Sequence, residues 1–406
     1  MKQSIKLLLG GALFVAVPMV LTSCEDILGE WSKPTPSTVT PGDGGGATAS
    51  GTYLVWNGVD ALEAQPIPAA ATEWNITSGD VSEGTYIVSS DFTCTGLLVL
   101  KGDVTIILKD NATLTVENGI YYDAAGNVGS LTVYAQSQDD SKGSLIVKND
   151  TPYDGGGMTV DPGIWVKALT IHGGLINSKG STGATPAAGS HYGIEAEDII
   201  IYGGDITATG NHANGSGMEC NNAFKIYGGK LTAKGSDGDV SPNVWGAPGL
   251  SGTTFNIYGG TVNATGGNAT TGEDAAGGTG FGGSDITIDG GTVIAKGGNS
   301  GGGGGLSDSG GYGLISPNDI TINGGTVTAT GGDGTVVNSG AGIASGTGQL
   351  KVFGGTTTAS GGNKGKGIEC AAIALTGVSL YEGDSENPAA LAGNQTACTK
   401  RYAIIK

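Results

Sequence analysis

One phrase recurs seven times in the second half of this chain, and it restricts the fold more than any other feature. The copies are LTIHGGLINSKG (169–180), IIIYGGDITATG (199–210), FKIYGGKLTAKG (224–235), FNIYGGTVNATG (255–266), ITIDGGTVIAKG (286–297), ITINGGTVTATG (320–331) and LKVFGGTTTASG (350–361). Their Gly-Gly pairs are spaced 30, 25, 31, 31, 34 and 30 residues apart. A fixed phrase at a loose period of this length marks a solenoid, in which each repeat buries its apolar face only against its neighbours.

Alternation inside the phrase has period two, the mark of strands. In the first copy Leu169 and Ile171 point one way and Thr170 and His172 the other. The glycine pair makes a bend. A second strand follows, with Ile176 and Ser178 inward and Asn177 and Lys179 outward. The position of Ser178 is Ala in every later copy (Ala208, Ala233, Ala264, Ala295, Ala329, Ala359), which predicts a tight corner. A third strand is signalled by Gly and a large apolar residue: GIYY (119–122), GIWV (163–166), GIEA (193–196), GMEC (217–220), GLSG (249–252), GFGG (280–283), GLIS (313–316), GIAS (342–345) and GIEC (367–370).

Three short strands per coil, with loop length varying between the second and third, predict an all-β chain. It is a single-stranded parallel β-helix of about ten three-strand coils, right-handed as parallel crossovers are. At ~4.8 Å per rung the coils make a rod about 45 Å long. The expected organisation is a signal segment (1–23), a lipidated Cys and tether (24–52), an N-terminal cap (53–84), the β-helix (85–383) and a C-terminal cap (384–406). The only helix-period stretch in the mature chain is a possible short cap at Val59–Ala64. The missing crossover helices exclude a doubly wound α/β fold. The period is too short for the four-stranded blades of a propeller.

The start of the chain predicts its address. Lys2 and Lys6 precede an apolar run from Leu7 to Leu21, which ends in Leu21-Thr22-Ser23-Cys24. This resembles the lipobox of bacterial lipoproteins, and the run of about 15 residues falls short of the ~20 that a membrane span needs. The resemblance implies acylation of Cys24 and anchoring in the outer membrane of a Gram-negative bacterium. Glu25 and Asp26 resemble the acidic export signal of Bacteroides-type surface lipoproteins. Residues 32–52, rich in Pro, Gly, Ser and Thr, read as a tether that lifts the rod off the membrane.

The formal charge is −18, which argues against nucleic acid as a partner. It allows neutral glycans, or anionic ones bridged by a divalent cation. Besides Cys24 there are Cys94, Cys220, Cys370 and Cys398. Cys220 and Cys370 lie five coils apart, about 24 Å, too far for a disulfide. Free buried thiols are expected, with Cys370–Cys398 the one pairing left open.

Outward positions stack into ladders. The residue before each Gly-Gly is His172, Tyr202, Tyr227, Tyr258, Asp289, Asn323 and Phe353. His172 and the three tyrosines read as a candidate carbohydrate platform, since aromatic faces suit sugar rings. The same residues would equally serve as a structural stack under a loop. A second ladder, Lys179, Thr209, Lys234, Thr265, Lys296, Thr330 and Ser360, spaces its lysines to avoid adjacent like charges. A third sets Glu195 beside Glu219, with Asp198, His191 and His212 nearby in sequence. These carboxylates could hold Ca²⁺, form an acid/base pair, or simply be solvated. Glu369 repeats the residue without a stacked partner.

The opening GTYIVSSDFTCTGLLVLKGDVTIILKDNATLTV (84–116) and the pattern GIEAEDIIIYGGDITATG (193–210) resemble a family of bacterial carbohydrate-binding lipoproteins. That resemblance covers roughly 84–383. It implies a right-handed β-helix similar in shape to pectate lyases, binding of acidic or cellulosic sugars, and calcium sites. The family's calcium ligands find no matching acidic motif here. The reading that follows is a non-catalytic, polysaccharide-binding surface lipoprotein. The alternatives are a polysaccharide lyase or glycoside hydrolase on the same scaffold, and an adhesive or structural rod without a sugar ligand. A lyase is disfavoured by a single arginine, Arg401, at the far end of the chain. A hydrolase needs converging carboxylates, and Glu273, Asp274, Asp285, Asp289 and Asp308 do not stack in this register.

Overall fold

The structure is a computed structural model that describes residues 51–149, 153–154, 159–160, 162–181, 191–212, 215–238, 245–270, 275–301, 309–335, 339–386, 388–390 and 397–406. The chain divides into Met1–Ala47 and Thr48–Lys406, and all described residues belong to the second unit. The signal segment, Cys24, nearly all of the tether, Glu273, Asp274 and Asp308 lie outside the described residues.

The Thr48–Lys406 unit is a right-handed parallel β-helix. Among the described residues every regular element is a strand. The second strands of successive coils form one sheet of ten parallel rungs, from Phe92–Cys94 to Thr356–Ser360. The opposite wall corrects the expectation of three separate strands. The third strand of one coil runs without a turn into the first strand of the next, giving continuous strands Ile164–Ile171, Ile194–Ile201, Met218–Ile226, Leu250–Ile257 and Phe281–Ile288. Irregularities at Ala196/Asp198 and Cys220/Ala223 bend these strands around the core without breaking them. From Leu314–Ser316 and Ile320–Ile322 onward the two halves separate as the sequence pattern implied.

Parallel pairing begins inside the segment expected to be a cap, where Thr72–Glu73 pairs with Tyr86–Ile87 and Gly79–Val81 with Leu98–Leu100. At the other end Tyr402–Ile405 runs antiparallel between Thr357–Ser360 and Leu380–Gly383. That strand covers the last rung of the second-strand sheet and hides an edge that would otherwise be open.

The core is built from the inward residues of each rung. Their aliphatic ladders include Ile171, Ile201, Ile226, Ile257, Ile288 and Ile322, all fully buried. Phe224, Phe255 and Phe281 fill the centre, with ring centroids 5.3 and 4.8 Å apart. Phe255 explains a gap in the repeat: a Cβ at Gly283 would lie 2.5 Å from its ring, so GFGG ends in glycine.

The Gly-Gly bend uses its two residues for different reasons. Gly260 has φ +72°, a left-handed conformation. A Cβ on the first glycine would strike the preceding rung, as Gly290 would strike the Tyr258 carbonyl at 2.7 Å. The small residues of the second strand, Ala208 to Ala359, are buried where the glycine that opens the third strand crosses close to their backbone.

The described limbs of the glycine-rich loops are joined by backbone bonds. Outgoing and returning limbs alternate in one hydrogen-bonded chain: Gly278 N–H to Gly267 O, Gly298 to Gly278, Gly311 to Gly298 and Gly332 to Gly311, each at 2.8 Å. An added Cβ at Gly298 or Gly332 would overlap a carbonyl oxygen of the preceding rung. Glycine is required there for close approach. Beside this slab the Asx side chains of Asp237, Asn268, Asn299 and Asp333 each accept the next rung's backbone N–H, at 2.7 to 2.9 Å.

Cys94, Cys220, Cys370 and Cys398 are free thiols, and only Cys370 is not fully buried. Burial pushes the Cys220 thiol up to about 12.

The expected cap helix at Val59–Ala64 is instead the end of a hairpin turn and the start of a strand. The Asn57 side-chain oxygen accepts the N–H groups of Val59, Asp60 and Ala61 at 2.9 to 3.2 Å, which closes a local turn in place of a helix. The turn joins β1 (Thr52–Trp56) to β2 (Leu62–Pro66), an antiparallel pair forming its own two-stranded sheet.

Candidate functional site

Two outward ladders of the same wall bear candidate residues. The first is the column before the Gly-Gly bends. It runs through Tyr134, which the sequence reading left out, and then His172, Tyr202, Tyr227 and Tyr258. Successive ring centroids are 4.4, 4.7, 5.1 and 4.7 Å apart, and the Tyr202–Tyr227 and Tyr227–Tyr258 planes differ by 20° and 15°. The rings therefore stack on one another along the rod, each partly covering its neighbour, instead of forming a strip of open faces.

The upstream half of the column is covered. Trp56 on β1 stacks on Tyr202 at 5.2 Å, and its backbone N–H donates to His172 Nδ1 at 3.0 Å. Tyr53 meets Tyr134 edge-on at 4.8 Å, and Ile67 packs on the outward-facing Ile87 and Ile107. His172 is only 5 % exposed, so it is withdrawn from any surface platform. Burial holds its pKa down to about 4. Downstream, Tyr258 is 42 % exposed and Phe353 49 %. Between them Asp289 and Asn323 are exposed, and the Asn323 amide donates to Asp289 at 2.6 Å.

The second ladder lies at the start of the long strands. Register sets Tyr121, Trp165, Glu195, Glu219 and Ser251 on five consecutive rungs. Glu195 and Glu219 are half-buried, unlike solvated surface glutamates. Asn221 donates to Glu195 at 3.2 Å, and the Ser251 hydroxyl donates to Glu219. Burial, helped by the charge of Glu219 and opposed by the Asn221 bond, pushes Glu195 up to about 7. Burial also raises Glu219, while the Ser251 and Ser216 hydroxyls pull it back. Trp165 stands edge-to-face on Tyr122 at 4.7 Å, and Lys167 forms an ion pair with Glu197.

Asp198 does not join this pair. It lies beyond the irregularity in the strand and accepts from Asn222 at 2.8 Å. Among the described residues no three His, Cys, Asp or Glu side chains gather as metal ligands. Of the expected carboxylate set, the register brings Glu195 and Glu219 together and leaves Asp198 apart. His191 and His212 approach each other, with ring centroids 5.1 Å apart.

Sequence reasoning missed Trp165, Ser251 and Asn221. The first two were legible as the same position in GIWV and GLSG; Asn221 was not, because it lies within the strand irregularity between Cys220 and Ala223. The fold and register define a parallel β-helix with patterned outer ladders. The chain is similar to the Beta helix repeat family, whose model matches residues 199–218 and 320–346. No curated protein and no solved structure gives a significant match.

Proposed function

We propose that this protein is a non-catalytic polysaccharide-binding rod, held through a lipid on Cys24 at the surface of a Gram-negative outer membrane. The observation that carries the binding is the single register that places Tyr202, Tyr227, Tyr258, Asp289 and Asn323 on consecutive rungs. The exposed end of the stack at Tyr258, followed by a carboxylate and an amide, offers a sugar both apolar ring surface and hydrogen-bonding partners. A net charge of −18 favours a neutral glycan. The test is a glycan array probed with a soluble form starting at Thr48, with and without Ca²⁺. The reading expects a linear polysaccharide to bind without added metal, and the Tyr202/Tyr227/Tyr258→Ala triple variant to lose it. Absence of binding to every glycan by a folded protein would leave an adhesive or structural rod.

A second reading is favoured by one observation, the in-register pair Glu195 and Glu219 beside Trp165. Adjacent rungs are ~4.8 Å apart, near the ~5 Å separation of carboxylates in retaining glycoside hydrolysis. Glu195, half protonated near neutrality, would serve as the acid, and Glu219, held by hydroxyl donors, as the nucleophile. Release of reducing ends from an array-selected glycan, lost in Glu195→Gln, would establish it.

A further inference from the structure

The aromatic column already carries a ring from its own chain. Trp56 lies 5.2 Å from Tyr202 with planes 18° apart, and 5.5 Å from Tyr227. One rung along, Tyr227 and Tyr258 repeat the same stacked arrangement at 4.7 Å and 15°. Trp56 reaches both Tyr202 and Tyr227, but no ring of the described residues reaches both Tyr227 and Tyr258, and Tyr258 remains 42 % exposed. The column thus has one filled seat and one open seat of the same kind.

What fills the first seat is lightly held. The β1–β2 hairpin pairs with no strand of the helix. Four of the five residues of β2 are exposed. Its attachments include the ring contacts of Tyr53 and Trp56, the Trp56 N–H to His172, the packing of Leu62 at Gly203, and the small apolar cluster around Ile67. A flat ring on tyrosine faces with a rim hydrogen bond is also how a pyranose is held. Beyond the open seat come Asp289 and Asn323, whose exposed polar groups suit sugar hydroxyls better than an aromatic side chain of a partner protein. From Tyr227 to Asn323 is three rungs, about 14 Å, room for a short oligosaccharide.

We infer that the β1–β2 hairpin is an internal competitor for the glycan: Trp56 occupies the Tyr202–Tyr227 seat, a pyranose ring takes the Tyr227–Tyr258 seat, and a longer glycan displaces Trp56 to run onto Tyr202. This rests on the glycan-binding reading above.

The test uses the full chain in detergent and linear oligosaccharides of glucose, xylose and galacturonate, three and six residues long. Hydrogen exchange is followed in the peptide covering Thr52–Trp56. With a hexasaccharide that binds, exchange there rises at least tenfold, whereas the matching trisaccharide leaves it unchanged. Trp56→Ala binds the hexasaccharide about tenfold more tightly than the natural chain. Exchange that slows or stays constant under saturating hexasaccharide overturns the inference, and so does unchanged affinity in a folded Trp56→Ala. If that variant does not fold, the exchange experiment on the natural chain decides alone. Binding that ignores Tyr258→Ala puts the glycan elsewhere, which sinks this inference while the glycan reading stands. If no oligosaccharide binds either form, both fall.

Discussion

The two outward ladders occupy one wall of the same rod, yet they respond to pH in opposite directions. On the aromatic column, burial under the hairpin holds His172 down to about 4, against an ordinary value of 6.5. On the carboxylate rungs, burial pushes Glu195 up to about 7, against an ordinary 4.5. The cause is the same in both places, because desolvation disfavours whichever form is charged. For His172 the contribution to stability is complete above about 6.5 and is lost as pH falls from there through 4. For Glu195 it is complete below about 4.5 and is lost as pH rises from there through 7. Between about pH 4.5 and 6.5 the two slopes oppose each other, and burial of Glu219 adds to the carboxylate side. An outward position on a solenoid is therefore not necessarily a solvated one. What covers it decides its chemistry, a hairpin in one case and neighbouring rungs in the other.

Four variants break or sharpen this comparison. Gly260→Ala should have the largest effect. The residue has φ +72°, and its Cβ would lie 2.8 Å from the backbone of Gly228 and Gly229. Left-handed strain and a backbone clash together predict a loss of about 4 kcal/mol, read from denaturant midpoints, with collapse of the column. Next is Glu195→Gln, which removes a carboxylate that is costly to ionise. At pH 8 it should be more stable than the natural chain by about 3 kcal/mol, and the gain should vanish below about pH 4.5. A gain that persists at pH 4 would show that the effect is not ionisation of Glu195.

His172→Asn acts locally. It keeps an oxygen near the position of Nδ1 but cannot be protonated. In the natural chain, docking of the hairpin should weaken by up to tenfold per pH unit between about 6.5 and 4. Hydrogen exchange at β1 should report that weakening, and the variant should abolish its pH dependence. The smallest effect belongs to the alternating ladder, where Lys234 sits between Thr209 and Thr265. Lys234→Thr should change stability by no more than about 0.5 kcal/mol in a thermal melt.

Much of the fold was legible because period and handed side-chain alternation are local properties. The strands, the bend at each Gly-Gly and the tight corner at Ala208 to Ala359 follow from residues that repeat at fixed places. The fusion of third and first strands was not legible, since a gentle irregularity at Ala196/Asp198 needs no breaker residue. Nor was the slab of stacked glycine loops, because its order comes from backbone bonds between rungs. The covering hairpin did leave a trace. Ile87 and Ile107 interrupt the alternation by placing apolar side chains outward, and that break marks where something packs on the outside. At the candidate sites, sequence placed Glu195 beside Glu219 and the tyrosines in one column. It could not say that His172 is buried or that Asp198 turns away, because both depend on contacts distant in the chain.

The most direct measurement is calorimetric titration of one array-selected glycan into the natural chain, Tyr258→Ala and Glu195→Gln. Stacking on the exposed end of the column predicts that Tyr258→Ala binds about tenfold more weakly while keeping its fold. Glu195→Gln should bind as the natural chain does. Full affinity in Tyr258→Ala, with loss in Glu195→Gln, would contradict the account and move the glycan to the carboxylate rungs.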